Sequence, residues 1–237
     1  AILEGDVVPL IAGSSEKQIG LTSLLDCIVK YMPAIDDEAA NIGYRVKEGY
    51  EAFEPKADAP FSAVVFKTIA DPCVGKISIF KVLSGTINKD DKIYNVSKDV
   101  EEKVANLFVL RGKEQIKVDK LVAGDIGAFS KVDSASTGDS LATKENKIEY
   151  KRIKYPQPVL FFAIKALSKN DEDKISEALQ KLAEEDPTFK EERNQETSQS
   201  ILSGLGNVQS EVLMDKLKDN YSVNTEVVEY KIPYRET

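Results

Sequence analysis

The sequence predicts a multidomain chain of class β plus α+β, a β-barrel followed by a two-layer unit of order β-α-β-β-α-β. Three observations predict it. From Phe61 to Lys144, short runs rich in Val, Ile and Phe are punctuated by glycine and aspartate, as strands of a barrel are. After Pro156-Gln157-Pro158 the apolar period alternates between that of strands and that of helices. Ahead of residue 57 lie only one strand-loop-helix stretch and an irregular connector. The expected units are therefore residues 1–33, 34–56, 57–155 and 156–237.

Val7–Ser15 (VVPLIAGSS) reads as a short buried strand leaving through Gly13 into a polar loop. In GLTSLLDCIVKYMP, Leu21, Leu24, Leu25, Ile28 and Val29 fall along one helical face, and Pro33 stops the helix. A parallel sheet needs neighbouring strands and helices on both faces, so this stretch is expected to be the end of something larger. Residues 34–60 mix charges, glycines and prolines without a sustained period. They read as a connector with a helical turn at Asp37–Asn41, pinned by Tyr44, Val46, Tyr50 and Phe53.

The expected barrel strands are FSAVVFKTIAD, GKISIFKVLSG, DKIYNVSK, EKVANLFVLRG, EQIKVDKLVAGD, IGAFSKV and GDSLATK. Asn88, Asp90 and Asp91, then Gly124-Asp125 and Gly138-Asp139, mark turns between them. In GKISIFKVLSG, Ile77, Ile79 and Lys81 alternate with Ser78, Phe80 and Val82. Apolar residues on both faces predict one face as core and the other as a docking surface. Closure of the barrel removes exposed strand edges.

Val159–Leu167 opens the second unit as a strand. NDEDKISEALQKLAEEDP is a helix, capped by Asn170 or Asp171, with Ile175, Ala178, Leu179 and Leu182 inward and Pro187 at its end. TFKEERN and SQSILSG form two strands around a polar turn, the first charged enough to belong at a sheet edge. NVQSEVLMDKLKDNY is a second helix with Val208, Val212, Leu213 and Leu217 inward, and SVNTEVVEYKI supplies the last strand. This order is the split ferredoxin-like unit, whose helices cover one sheet face and leave the other open.

Composition narrows the chemistry. A formal charge of -8 argues against indiscriminate coating of nucleic acid. Histidine is absent, which excludes nucleophile-histidine triads and the commonest metal ligand. Cys27 and Cys73 read as free thiols of a reducing compartment. No apolar run is long enough to span a membrane, so no membrane partner is expected. No Gly-Lys-Ser/Thr phosphate loop, metal motif or cofactor motif is present.

Only residues 57–156 carry more basic than acidic side chains. Within them Arg111 and Lys113 flank Gly112, and with Lys117 and Lys120 they form the best basic cluster. No aromatic platform interleaves them, so a structured RNA held by backbone and shape fits better than a stacked single strand. GSSEKQIG is a glycine-flanked polar loop at a strand end, the place of a ligand contact in a parallel sheet. SGLGNVQ puts Gly204 and Gly206 at a strand-to-helix turn, where glycine permits close approach or positive φ and a helix start can hold an anion.

DAPFSAVVFKTIADPCVGKISIFKVLSGTINKDDKIYN, AGDIGAF, STGDSLA and ALQKLAEEDPTFKEERNQETSQSILSGLG resemble the ribosomal elongation factor G family of translational GTPases, from its second domain into its third. GSSEKQIGLTSLLDCIVKYMP resembles the end of its GTP-binding domain, and YRET at Tyr234–Thr237 the close of its third domain. The resemblance implies a C-terminal remnant of the GTP-binding domain (1–33), a linker (34–56), a translation-factor β-barrel (57–155) and a ferredoxin-like third domain (156–237). It implies a cytoplasmic GTPase that binds the ribosome and drives translocation. Its barrel would meet small-subunit ribosomal RNA and protein, and its third domain would relay nucleotide state to later domains. Gly13, Ser14 and Ser15 match the guanine-contact loop, although the family usually has alanine where Ser15 stands.

The family's phosphate loop, switches, magnesium ligands and catalytic histidine are outside this stretch, which is therefore expected to bind no cofactor and to hydrolyse nothing alone. GTP and Mg2+ would belong to the intact parent. Ribosomal protection proteins and release-factor GTPases share the architecture, and a non-catalytic RNA- or protein-binding module is the other alternative. The family usually reads G-M-G-E-L-H where this chain reads Gly204-Leu205-Gly206-Asn207-Val208-Gln209. Asn207 and Gln209 replace a carboxylate and an imidazole with uncharged amides, so a rearranged helix-start contact and a divergent paralogue are expected. A rigid barrel and a mobile third domain would meet at a joint near Tyr155–Pro158.

Overall fold

Helix α1 (Leu21–Tyr31) forms where its spacing predicts, and Met32, held extended before Pro33, ends it. The structure, a computed structural model, describes residues 2, 5–34, 46–51, 53–71, 74–194, 196–197 and 199–231, with Asn170 and Asp173 described by backbone alone. Cys73, Tyr44, Asp37–Asn41 and Tyr234–Thr237 lie outside the described residues. Val7–Ser15 is not the buried strand its sequence suggests. Val8 and Leu10 are exposed, and its pairing among the described residues is the bridge Ser14–Ile19. Strand structure is stabilised by the strand beside it, and no described strand lies alongside.

Residues 62–142 alternate into β1 (Ser62–Asp71), β2 (Gly75–Ser84), β3 (Thr86–Asn88), β4 (Lys92–Asn95), β5 (Val100–Lys103), β6 (Asn106–Arg111), β7 (Glu114–Lys117), β8 (Lys120–Val122), β9 (Ile126–Ser130) and β10 (Ser140–Ala142). An antiparallel sheet runs β5-β4-β10-β1-β2-β9-β6-β7, and β3 pairs with β8. That short pair closes the barrel. Val104 and Asp91 are joined N–H to O at 2.9 Å, Lys89 donates to Asp119 O at 2.8 Å, and Val118 donates to Leu107 O at 3.1 Å. The ladder thereby passes from the β5 side through β3 and β8 to β6. Phe80, Val82, Ile93, Leu107, Phe129 and Leu141 fill the interior, with the Phe80 and Phe129 rings stacked 4.9 Å apart.

Two differences from expectation have local causes. EKVANLFVLRG and EQIKVDKLVAGD each hold two strands, because the chain turns at 104–105 and at 118–119. β3 gives no sequence signal: three residues between Gly85 and the Asp90-Asp91 turn are too few for a period. Gly85 is required by space, since at φ 72 its Cβ would lie 2.6 Å from Ala59 O. The second face of β2 is partly covered by the barrel itself, where Ile79, Ala128 and Phe108 sit in one cross-strand row.

The connector docks on the barrel. Val46 bridges Tyr150, Lys47 pairs with Glu149 at 2.6 Å, and Val46 and Phe53 pack against Leu83, Ala142 and Ile148.

The second unit comprises β11 (Leu160–Ala166), α2 (Lys169–Glu185), β12 (Lys190–Asn194), β13 (Gln199–Gly204), α3 (Asn207–Tyr221) and β14 (Thr225–Val228). Its antiparallel sheet has the order β12-β13-β11-β14, the ferredoxin-like arrangement, with charged β12 at an edge. The helix α2 stripe Ile175, Ala178, Leu179 and Leu182 is buried against the sheet. Its cap is Ser168, not Asn170 or Asp171: the Ser168 side chain accepts from Asp171 N and donates to the Asp171 carboxylate at 2.7 Å. Asp186, extended before Pro187, ends the helix.

α3 turns a different face inward from the expected one. Leu213 and Leu217 are buried, whereas Val208 and Val212 are exposed. Gln209 is hydrogen-bonded to Asp186 and Thr188, between α2 and β12, and Leu213 and Leu217 continue its row at i, i+4 spacing. The opposite sheet face is not wholly open either. Gln199 bonds Glu229 O at 2.9 Å and Lys231 N at 3.0 Å, tying the chain after β14 across a face on which Ala163 and Ile201 are buried.

Candidate functional site

Three places carry the residues singled out by sequence. The first is the β6–β7 hairpin, where Gly112 turns at φ 60 between Arg111 and Lys113. The Arg111 guanidinium pairs with Glu114 at 2.9 Å on an open surface, so part of its charge is already answered. Lys113 is exposed at the hairpin tip, Lys117 ends β7 and Lys120 begins β8. The structure does not gather these four into one site. It places Lys117 instead in a cleft of about 520 Å³ with Lys89 and Lys131. Those two lysines stand on separate turns, so no spacing in the sequence could have joined them.

The second place is the β13–α3 turn. A Cβ on Gly204 would lie 2.5 Å from the Gln209 amide oxygen, so a larger residue there would displace that side chain. Gly206 is not needed for either reason expected of it: its φ of 169 is ordinary extended backbone and nothing lies within 4 Å of its Cβ position. Asn207 opens α3 without a capping side chain. Gln209 ties the turn together. Its oxygen accepts from Leu205 N at 2.6 Å, and its amide donates to Asp186 at 2.6 Å and Thr188 at 2.9 Å. Burial pushes the Asp186 carboxyl up, but hydrogen bonds from Thr188 and Gln209 and the charge of Lys216 outweigh it, and its pKa lies below the usual value. The sequence indicates a rearranged contact here; the structure supplies its form, an uncharged amide latched to the end of α2.

The end of α2 is also the joint between the two units. Ala70 N in β1 donates to Glu185 at 2.8 Å, and the other Glu185 oxygen pairs with Lys216 of α3 at 2.8 Å. One carboxylate thus touches the barrel, α2 and α3. Lys76 of β2 sits 3.7 Å from Glu184 and donates to Asp133 O at 3.0 Å. Beside them Glu191 borders a hollow shared with Ser136 and Thr137 of the barrel, and burial raises its pKa against the pull of Arg193. No sequence signal marks Glu185, one carboxylate in an acidic helix end.

The third place is the loop Gly13–Gly20. Ser14 and Ile19 exchange two backbone hydrogen bonds at 3.0 Å, and a Cβ on Gly13 would lie 2.7 Å from Ile19 O. The Ser14 hydroxyl accepts from Lys17 N at 3.3 Å, while Ser15 is exposed. Among the described residues no cluster of His, Cys, Asp or Glu could hold a metal ion, and no helix is long and apolar enough to cross a membrane.

Residues 60–144 match the family model for elongation factor G domain 2, and residues 155–229 match that for Elongation Factor G, domain III. The chain belongs to the elongation factor G family. Elongation factor G of Chlamydia trachomatis, serovars D and A, is 37% identical over 237 residues, all of this chain and 34% of the relative. That of Chlamydia caviae is 35% identical over the same length. The chain thus spans about a third (34%) of the length of the curated relatives it matches. A crystal structure from Thermus thermophilus superposes with a TM-score of 0.72 at 27% identity, covering 93% of this chain and 31% of the other. In this chain the stretch matching domain 2 contains the lysine cleft, and the stretch matching domain III contains the Gln209 turn.

Proposed function

We propose that this chain is the coupling section of a ribosome-binding translation elongation GTPase that promotes translocation in the cytoplasm. Residues 57–155 and 156–237 act as two bodies, flanked by the end of the GTP-binding domain (1–33) and a linker (34–56). The observation that carries the reading is the Glu185 junction, through which a barrel strand and both helices of domain III share one carboxylate. A displacement felt at either body reaches the other through that contact and the adjoining Asp186–Gln209 latch. Arg111, Lys113, Lys117 and Lys120 face small-subunit ribosomal RNA, and Gly13, Ser14 and Ser15 complete a guanine pocket only with the rest of the parent. GTP and Mg2+ are held by the parent, and this chain alone hydrolyses no GTP.

The test uses the intact factor and this chain side by side. Ribosome-stimulated GTP hydrolysis and movement of messenger RNA are expected of the intact factor, and neither of the chain. Turnover by the purified chain above a buffer blank would overturn the division of labour. Charge reversal at Arg111 and Lys113 is expected to weaken ribosome binding and flatten its salt dependence. Unchanged affinity across a salt series removes the RNA role. A second reading, a divergent paralogue, is favoured by the uncharged Asn207 and Gln209. It is supported if the intact factor hydrolyses GTP on ribosomes without moving the message.

A further inference from the structure

Where β6 begins, β9 ends and the turns after β3 and before β8 meet, the barrel opens into the cleft of about 520 Å³. That is the size of a small-molecule site. Ala105 and Val118 give it apolar walls, and Lys89, Lys117 and Lys131 line it with positive charge against one carboxylate, Asp119. None of the three lysines makes a salt bridge among the described residues, although Lys89 lies near enough to Asp90 to help lower its pKa. Lys131 stands on a turn with a left-handed backbone at φ 62, one of five non-glycine residues with positive φ among the described residues. From that turn Lys131 lines the cleft.

Three lysines without a salt bridge, beside apolar walls, suit an anion that carries an apolar body, and a phosphorylated nucleoside has both. The β6–β7 ribbon leads from Lys117 at the cleft to Lys113 at the hairpin tip. Four residues of strand span ~13 Å, so one nucleic-acid backbone can reach both. Resting on the reading of the barrel as RNA-facing, we propose that the cleft receives one unstacked nucleotide of a structured RNA. Lys89, Lys117 and Lys131 hold its phosphates, and its sugar or base lies against Ala105 and Val118. Extrusion supplies what a fully paired helix cannot, a nucleotide free to enter.

The chain is titrated with a fluorescent RNA stem carrying one bulged nucleotide, with the same stem fully paired, and with a glutamate-rich peptide. The bulged stem is expected to bind about ten-fold more tightly than the paired one, the weight of one base contact. In the exposed triple variant Lys89→Gln/Lys117→Gln/Lys131→Gln that preference disappears, and the slope of log affinity against log salt flattens by about 2. Methyl resonances of Ala105 and Val118 move on addition of the bulged stem and stay put with the paired one. Retention of the preference in the triple variant, or stationary methyl signals, overturns the proposal. Peptide binding as tight as that of the bulged stem does so too, and points to an acidic protein. A companion variant, Arg111→Gln/Lys113→Gln, separates the two readings. If it weakens both stems while the triple variant changes nothing, the cleft fails and the RNA-facing barrel stands. If the wild-type chain binds neither stem, both fail.

Discussion

Helix α1 presents Leu21, Leu24, Leu25 and Ile28 along one face, as helix α2 presents Ile175, Ala178, Leu179 and Leu182. The first four are exposed and the second four are buried. The stripes have the same period, and what differs is the surroundings. α2 lies on a sheet and against β1 of the barrel, begins with the Ser168 cap and an acidic first turn, and ends in the Glu185 junction. α1 begins at Gly20 with no capping side chain and no acidic residue in its first turn. Periodicity therefore dictates that a helix forms and which side is greasy. It says nothing about whether anything covers that side.

The contrast can be broken most directly by truncation. Leu179→Ala is expected to cost about 2–5 kcal/mol of stability, and Leu25→Ala no more than ~0.5 kcal/mol. Denaturant midpoints of the two variants measure this, and equal losses would mean that α1 is packed. Glu185→Ala comes next, at about 1–3 kcal/mol, because it leaves Ala70 N and Lys216 without their partner. Two unfolding transitions where the wild type shows one would identify Glu185 as the tie between barrel and domain III. Ser168→Ala should cost about 1 kcal/mol, the worth of a cap that α1 lacks. Restoration by Ser168→Asp and not by Ser168→Val would assign the loss to capping.

The smallest effect expected is a pH dependence at the end of α2. The folded Asp186 carboxyl has a lowered pKa, so its contribution is fully present above the unfolded value and is lost as pH falls through the folded one. Thermal midpoints of wild type and Asp186→Asn should thus differ at neutral pH and converge on acidification below the usual carboxylate range. A gap constant with pH would show that Asp186 acts by shape alone.

The elements of this chain were largely legible because each has a local cause. Alternation in GKISIFKVLSG makes β2, the four-residue stripe makes α2, and proline after Met32 and Asp186 stops two helices. Residues whose neighbours come from elsewhere in the chain were not. Val208 and Val212 carry a helical period as good as that of Leu213 and Leu217, and only tertiary contacts, the packing of Leu213 and Leu217 in the core and the Gln209 latch beside it, fix which row turns inward. Val7–Ser15 has the composition of a buried strand without a partner among the described residues. Of the four basic residues singled out, Lys117 alone enters the cleft, beside two lysines from turns that the sequence keeps apart.

By itself the sequence determined the order of strands and helices, the charge of each segment and the absence of histidine chemistry, since these follow from local sterics and composition. Tertiary structure decided the closure of the barrel through β3 and β8, the face α3 buries and the meeting of β1, α2 and α3 at Glu185. Those depend on groups distant in the chain satisfying one another's hydrogen bonds and apolar surface. Such pairings are settled by the free energy of the whole fold, which no short window contains.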